Sequence, residues 1–141
     1  MQRLLTRAAP GEDLWHTTAP PLGPNIYDLA LHPDGLTRFM LNPDEVVPET
    51  LRRLRIEAAA DLALVAVIRR LEAYPVARAF TAVSQLPPSV LVERYALGES
   101  TLSVISIVSH LASPGEFELA TLRIETFVPA DATSEAILAA L

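Results

Sequence analysis

Strand-like runs separated by short, turn-rich breaks fill the second half of the chain, from residue 76 to residue 128. The four runs read VARAFTAVSQ, SVLVERYALG, STLSVISIVSHL and EFELATLRIETFV. The breaks between them are Leu86-Pro87-Pro88, Gly98-Glu99 and Ser113-Pro114-Gly115. Strands joined by breaks this short must run antiparallel, because a parallel return needs a crossover of a dozen or more residues. The pattern therefore predicts an antiparallel sheet of successive strands.

A long helical pattern lies directly before these strands. It begins at Pro48, whose missing N–H costs nothing in a first helical turn, and it must end before Pro75. A helix from Pro48 to Ala73 would be about 39 Å long at roughly 1.5 Å per residue. One long helix followed by an antiparallel run of strands predicts an α+β fold.

Two further strands are predicted before the helix. Residues 26–32 and 36–41 read as strands, and a Pro-Asp-Gly turn joins them, since proline fixes φ and glycine permits a positive φ. The chain is expected to divide into an N-terminal arm at 1–25, a core domain at 26–128 and a C-terminal tail at 129–141. In the tail, Asp131 or Thr133 is expected to cap a short final helix.

The composition argues against several classes of function. A formal charge of −6 argues against nucleic-acid binding, which relies on clustered Lys and Arg. The chain has no cysteine, no metal-ligand spacing among its three histidines and no phosphate-binding glycine loop, so we expect no metal and no cofactor. No apolar run approaches the ~20 residues that cross a bilayer. The first residues also lack the apolar core of a signal peptide, which predicts a cytoplasmic protein.

The apolar content is high for a small domain, at half of all residues. We expect this surplus to cover a subunit interface or to line an acyl-sized pocket. The chain is therefore predicted to form a homo-oligomer, either a dimer or a tetramer.

One carboxylate on the predicted helix lies among apolar neighbours. On a helical wheel Asp61 falls between Leu54 and Leu64, and Glu57 lies one turn before it. A buried carboxylate must be paired, hydrogen-bonded or tuned in its pKa, and a second carboxylate nearby raises one pKa of the pair. Asp61 and Glu57 are thus candidates for general-base chemistry. A solvated stripe that pairs with Arg53 is the structural alternative.

The order of these elements resembles the hotdog fold, in which an antiparallel sheet wraps one long central helix. The last three strand runs look like those of the phenylacetic-acid-type acyl-CoA thioesterases. Leu97-Gly98-Glu99-Ser100 stands at that family's Leu-Gly-x-Ser turn, and Thr126-Phe127-Val128 stands at its Thr-Phe-Val-like ending. LRIEAAADLALVAVI looks like the helix that carries the family's catalytic Asp. The resemblance implies a hotdog-like α+β domain in which an antiparallel sheet wraps around this long central helix. A short C-terminal helix is added to it.

The resemblance also implies a set of site residues. Asp61 matches the catalytic position, and Glu57 is assigned beside it. The substrate-binding positions implied by the helix start and by the turn are Arg53, Leu54, Gly98 and Ser100. Where the thioesterases have His-Gly-Gly, this chain has Arg52-Arg53-Leu54, which removes the glycines that let a substrate approach the backbone closely.

Three classes of function follow from these observations. The first is an enzyme that hydrolyses acyl thioesters of CoA or of an acyl carrier by means of the helix carboxylate. The second is a non-catalytic hotdog protein that binds an acyl ligand or serves as an oligomeric scaffold, which the missing His-Gly-Gly favours. The third is an α+β interaction module of the roadblock or longin type. A strand at VARAFTAVSQ would favour the hotdog fold, whereas a helix there would favour the interaction module.

Overall fold

The structure is a computed structural model that describes residues 2–21, 23–80, 90–110 and 123–140. Within these ranges the chain forms α-helices, one 3-10 helix and a small sheet, which confirms the α+β class. In chain order the elements are α1 (Gln2–Ala8), α2 (Leu14–Thr17), α3 (Ile26–Leu31), the 3-10 helix (Leu36–Arg38), α4 (Pro43–Glu57), α5 (Ala63–Glu72), α6 (Pro75–Phe80), β1 (Val92–Leu97), β2 (Ser100–His110), β3 (Arg123–Pro129) and α7 (Ala132–Ala139).

The three strands form one antiparallel sheet in the order β1-β2-β3, as the short breaks predicted. Gly98 lies between β1 and β2 with a φ of +61°, a conformation that glycine adopts without strain. The register pairs Tyr95 with Leu102 and Ser106 with Phe127. Because paired side chains project to the same side of a sheet, these four lie on the inner face that packs against the helices.

Residues 26–41 do not form the strand hairpin that was predicted. Asn25 caps α3, since its side-chain oxygen accepts a hydrogen bond from the backbone N–H of Tyr27 at 2.9 Å. This cap favours a helix over the extended conformation, and the turn then leads into the 3-10 helix. The end of the second predicted strand does reach the sheet, because Met40 forms an isolated antiparallel bridge with Tyr95.

The predicted long central helix is wrong, because two helices occupy its place. α4 ends at Glu57 and α5 begins at Ala63. Nη2 of Arg55 lies 2.6 Å from Oε1 of Glu72. In one straight helix, 17 residues would separate them by about 25 Å. α5 therefore folds back against α4, and side chains of both helices join those of the sheet in one hydrophobic core.

The bend between these helices has a local and a tertiary cause. Oδ1 of Asp61 accepts a hydrogen bond of 3.0 Å from the backbone N–H of Ala63, at the start of α5. Folding back also places the buried side chains of Leu54 and Leu64 in one hydrophobic core. Burial of apolar surface from both helices compensates for the helical hydrogen bonds lost at the bend.

The run VARAFTAVSQ is also helical where the structure describes it. Pro75–Phe80 forms α6, which packs against α4 and buries Ala77 completely. The sequence predicted only that the preceding helix must end before Pro75. In the structure α6 starts at Pro75, because proline is tolerated at the first position of a helix. Residues 81–89 and 111–122, which carry the rest of this run and the start of the last one, lie outside the described residues.

Candidate ligand-binding cavity

A cavity of about 800 Å³ lies between the inner face of the sheet and the helices. Most of its wall is apolar. The apolar side chains of the sheet side are Leu91, Leu97, Leu102, Val104, Val108 and Phe127. Those of the helical side are Leu4, Ala8, Ile26, Ala30, Leu36, Phe39, Val46, Leu54 and Leu138. Such a volume falls within the roughly 300–1,000 Å³ of small-molecule sites.

The sheet places polar side chains on the same wall. The strand register puts Glu93, Ser106 and Glu125 on the inner face with the apolar residues. The hydroxyl of Tyr95 donates a hydrogen bond of 2.7 Å to Oε2 of Glu93, and the hydroxyl of Ser106 donates to Oε1 of Glu125. The cavity therefore has one strongly polar region on an otherwise apolar surface.

Burial raises the pKa of two of these groups. Loss of solvent raises the pKa of Glu93, and the negative charge of Glu125 adds to this effect. The hydrogen bond from Tyr95 and the positive charge of Arg53 act in the opposite direction on the pKa of Glu93. Burial also raises the pKa of Tyr95 well above its usual value. Tyr95 thus stays protonated at neutral pH and donates its proton to Glu93.

Helix α4 supplies the facing polar groups. Arg53 and Glu57 line the cavity from its last two turns. Nε of Arg53 donates a hydrogen bond of 2.7 Å to Oε1 of Glu49, a buried carboxylate that Arg52 contacts as well. These two hydrogen-bonded arginines lower the pKa of Glu49 to about 2. Arg53 is therefore held by a partner on its own helix while it faces the cavity.

The structure brings together three of the residues that the sequence proposed for the site. Arg53, Leu54 and Glu57 line the cavity side by side on α4. Asp61 lies in the connection to α5, where its Oδ1 accepts a hydrogen bond from the backbone N–H of Ala63. Gly98 and the exposed Ser100 lie at the β1–β2 turn. Neither they nor Asp61 belong to the cavity lining within the described ranges.

Sequence reasoning missed the polar residues contributed by the sheet. Glu93, Tyr95, Ser106 and Glu125 lie on the inner face, yet no role was assigned to any of them. A signal was present in β1, because strict alternation places Glu93 on the same face as Leu91, Tyr95 and Leu97. A charged residue on the apolar face of a strand indicates a polar site facing the core.

A family model described as the MmyB-like transcription regulator ligand binding domain matches residues 2–141. The chain belongs to this family. The search of curated proteins and the search of solved structures gave no match. The family assignment covers nearly the whole chain, so it includes every element that lines the cavity.

Membership of the MmyB-like family corrects the resemblance to the thioesterases. The assignment to a hotdog acyl-CoA thioesterase was wrong, and so was the main interpretation of the chain as an acyl-thioester hydrolase. The turn and strand-end motifs that suggested it are short, and motifs of a few residues also occur by chance in unrelated chains. The alternative of a non-catalytic ligand-binding protein agrees better with the family.

Two features are absent from the part of the MmyB-like domain that the structure describes. No helix found there is both long and apolar enough to cross a membrane. Nor do the described His, Asp and Glu side chains form a cluster of three or more that could hold a metal ion.

Proposed function

We propose that this domain binds a small molecule with an apolar, acyl-sized chain in the cavity and thereby controls a transcription regulator. The observation that carries the proposal is the 800 Å³ cavity, lined by apolar side chains, inside a domain of the MmyB-like ligand-binding family. We infer the acyl chain of the ligand from the wall of the cavity, because a long apolar wall favours an alkyl chain over a compact polar molecule. The ligand could be a free acyl compound or an acyl group on a carrier.

The cavity offers a route from ligand binding to regulation. Its wall combines Leu4 of α1, Ala30 of α3, Leu54 of α4 and Leu138 of α7 with the inner face of the sheet. A ligand that contacts all of these elements stabilises their mutual arrangement, because it binds the folded arrangement in preference to any other. We therefore propose that the arm, the core and the tail of the chain act as one ligand-responsive unit.

The residues that the sequence predicted for a catalytic site are proposed to act in ligand binding or in the fold instead. Arg53, Leu54 and Glu57 are proposed to contact the ligand from α4, because they line the cavity. Asp61 is proposed to fix the bend before α5, in agreement with its hydrogen bond to Ala63. The catalytic roles of Asp61 and Glu57 belonged to thioester hydrolysis and are not carried forward.

A matched pair of tryptophan variants tests the cavity directly. Val108 lines the cavity, whereas Val128 lies on the opposite face of the sheet with 37% of its surface exposed. We expect Val108→Trp to weaken binding of Nile red, a neutral apolar dye, and of 1-dodecanol at least tenfold by filling the cavity. Val128→Trp should bind both as the wild type does. Equal binding by the two variants would place the ligand elsewhere and overturn the proposal.

We also propose that the domain self-associates and acts in the cytoplasm. Self-association is supported by the outer face of the sheet, where Ile107 and Ile124 are each 47% exposed. Exposed apolar side chains that cluster on one face are typical of interfaces. Light scattering during size exclusion should give a mass above that of one chain, and Ile107→Ser should shift it towards the monomer. A monomeric wild-type domain would contradict self-association.

The proposed cytoplasmic location follows from the role of a transcription regulator and is tested by fractionation of cells.

A further inference from the structure

One end of the cavity is more enclosed than the other along the inner face of the sheet. Near the β1–β2 turn, Leu97 is 8% exposed and Leu102 is 1% exposed. Farther along the same face, Val108 on β2 is only half-buried, and Glu125, which pairs with it on β3, is exposed. Leu102 and Val108 are separated by about 20 Å at roughly 3.3 Å per residue of strand. The cavity therefore has a closed end at Leu97 and an exposed end at Glu125.

Two segments flank the sheet beside the β1–β2 turn and close the cavity there. Along the edge of β1, the backbone N–H of Ala96 donates a hydrogen bond of 2.8 Å to the carbonyl oxygen of Phe39. On the edge of β2, at the residue before its pairing with β3 begins, the backbone N–H of Ser103 donates a hydrogen bond of 2.8 Å to Oγ of Ser134 in α7. Phe39 and Leu138 of these two segments line the cavity. Since both segments are hydrogen-bonded to the sheet, the closed end has fixed walls.

The closed end determines how a chain-like ligand lies in the cavity. Leu97 and Leu102 form an apolar wall at this end, whereas the hydrogen-bonded side chains of Ser106 and Glu125 lie towards the exposed end. A polar head group of any charge loses less hydration at the exposed end, and an alkyl tail gains most where water is excluded. The tail of the ligand is therefore expected to point towards Leu97.

We propose that Leu97 limits the length of the alkyl chain that the cavity accepts. The inference rests on the proposed function, because it concerns the ligand of the same cavity. Leu97 is the last residue of β1 and lines the cavity immediately before the turn at Gly98. Each CH2 group that becomes buried tightens binding roughly fourfold. Once the end of the chain reaches Leu97, a further CH2 group must fold back or displace the head group, so this gain stops.

A series of uncharged ligands measures the limit without a charged head group. Displacement of Nile red gives the affinities for 1-octanol, 1-decanol, 1-dodecanol and 1-tetradecanol, each below its solubility limit. The readout is the affinity for 1-tetradecanol divided by the affinity for 1-octanol, a ratio that does not depend on the fraction of folded protein. We expect Leu97→Phe, which fills the closed end, to lower this ratio at least tenfold, the effect of about two CH2 groups. Leu97→Ala, which enlarges the closed end, should raise the ratio at least threefold.

The same two substitutions at an exposed leucine are the controls. Leu62 is 81% exposed and does not belong to the lining of the cavity within the described residues. Leu62→Phe and Leu62→Ala should therefore each keep the ratio within twofold of the wild type.

The possible outcomes separate this inference from the proposed function. If the alkanols bind but both Leu97 variants keep the wild-type ratio, or shift it in the same direction, the chain-length inference is overturned while the proposed apolar site stands. If none of the four alkanols displaces Nile red from the wild type, the proposed function fails and the inference fails with it. Should one Leu97 variant no longer bind 1-octanol, the other decides, because each has its own expected direction.

Discussion

Arg70 forms a bidentate ion pair with Asp28, whose side chain has no exposed surface. Nε of Arg70 lies 2.7 Å from Oδ1 of Asp28, and Nη2 lies 2.6 Å from Oδ2. The hydroxyl of Tyr74 donates a third hydrogen bond to Oδ1 at 2.7 Å, and burial together with this bond raises the pKa of Tyr74 to about 12. The cluster ties α3 to α5 across 42 residues of sequence. It thereby holds the helix that supplies one wall of the cavity.

Asp28→Asn should destabilise the domain strongly. The amide keeps the shape of the side chain but leaves Arg70, 30% exposed, without its charge partner. Removing one member of a buried ion pair costs about 3 kcal/mol or more. Urea denaturation at pH 7 measures the loss. Glu12→Gln is the control, since it breaks the exposed ion pair with Arg38 and should change the unfolding midpoint little. An unchanged midpoint for Asp28→Asn would show that the cluster contributes nothing to stability.

Glu49 should make the stability of the domain depend on pH in the acid range. Its pKa is lowered from 4.5 to about 2 in the folded chain by Arg52 and Arg53. A carboxylate with a lowered pKa contributes stability above its unfolded pKa and loses it as the pH falls towards its folded pKa. At about 1.4 kcal/mol per pKa unit, reduced because solvent screens the half-exposed arginines, the contribution is about 2 kcal/mol.

Glu49→Gln is therefore expected to be less stable than the wild type by about 2 kcal/mol at pH 7. The gap should shrink as the pH is lowered from 4.5 towards 2, which thermal denaturation over a series of pH values will measure. Glu135→Gln, at an exposed position of α7, serves as the control. A gap that stays constant down to pH 2.5 would contradict the assignment of the low pKa to Glu49.

Ser134 should be required for the docking of α7. Its side chain is fully buried, and Oγ accepts a hydrogen bond of 2.8 Å from the backbone N–H of Ser103. Ser134→Ala leaves that buried N–H without this acceptor, which costs about 1–3 kcal/mol. Thr133→Ala, at the neighbouring exposed position, removes a hydroxyl without this loss. Chemical denaturation of both variants checks the difference, and equal stabilities would contradict the role of Ser134.

Gly35 should not tolerate a side chain. A Cβ atom added there would lie 2.2 Å from the backbone oxygen of Leu29, at a distance that requires the backbone to move. We expect Gly35→Ala to lower stability by about 1–3 kcal/mol, the range in which overpacking with backbone shifts falls. Gly98→Asn is the control, because that position is open and asparagine accepts a positive φ readily. Differential scanning calorimetry compares the two, and an unaffected Gly35→Ala would show that the turn yields easily.

Much of the sheet followed from local sequence alone. Alternating apolar residues and the Gly98-Glu99 break predicted β1 and β2 in the right order and orientation. The sequence also predicted a short last helix, with Asp131 or Thr133 as its cap. In the structure Asp131 is the N-cap, since its side chain accepts a hydrogen bond of 2.7 Å from the backbone N–H of Ser134. These features depend on contacts between residues close in sequence, so a single chain reveals them.

The helical half was misread where competing conformations have similar local preferences. Nothing in the alanine-rich stretch before Asp61 marks a helix end, and the side chains of residues 26–31 suit a strand or a helix equally. The polar cluster around Glu93 was missed because its members come from three different strands and from α4.

The sequence by itself determined the class of fold, the antiparallel order of β1 and β2 and the presence of a short last helix, since each rests on local geometry. Only the tertiary structure decided where α4 bends away from α5, that α3 is a helix, and that Arg53, Glu57 and Glu93 face one cavity. Those outcomes depend on which distant apolar surfaces are buried together, and the free energy of that burial exceeds the small local preferences that a sequence displays.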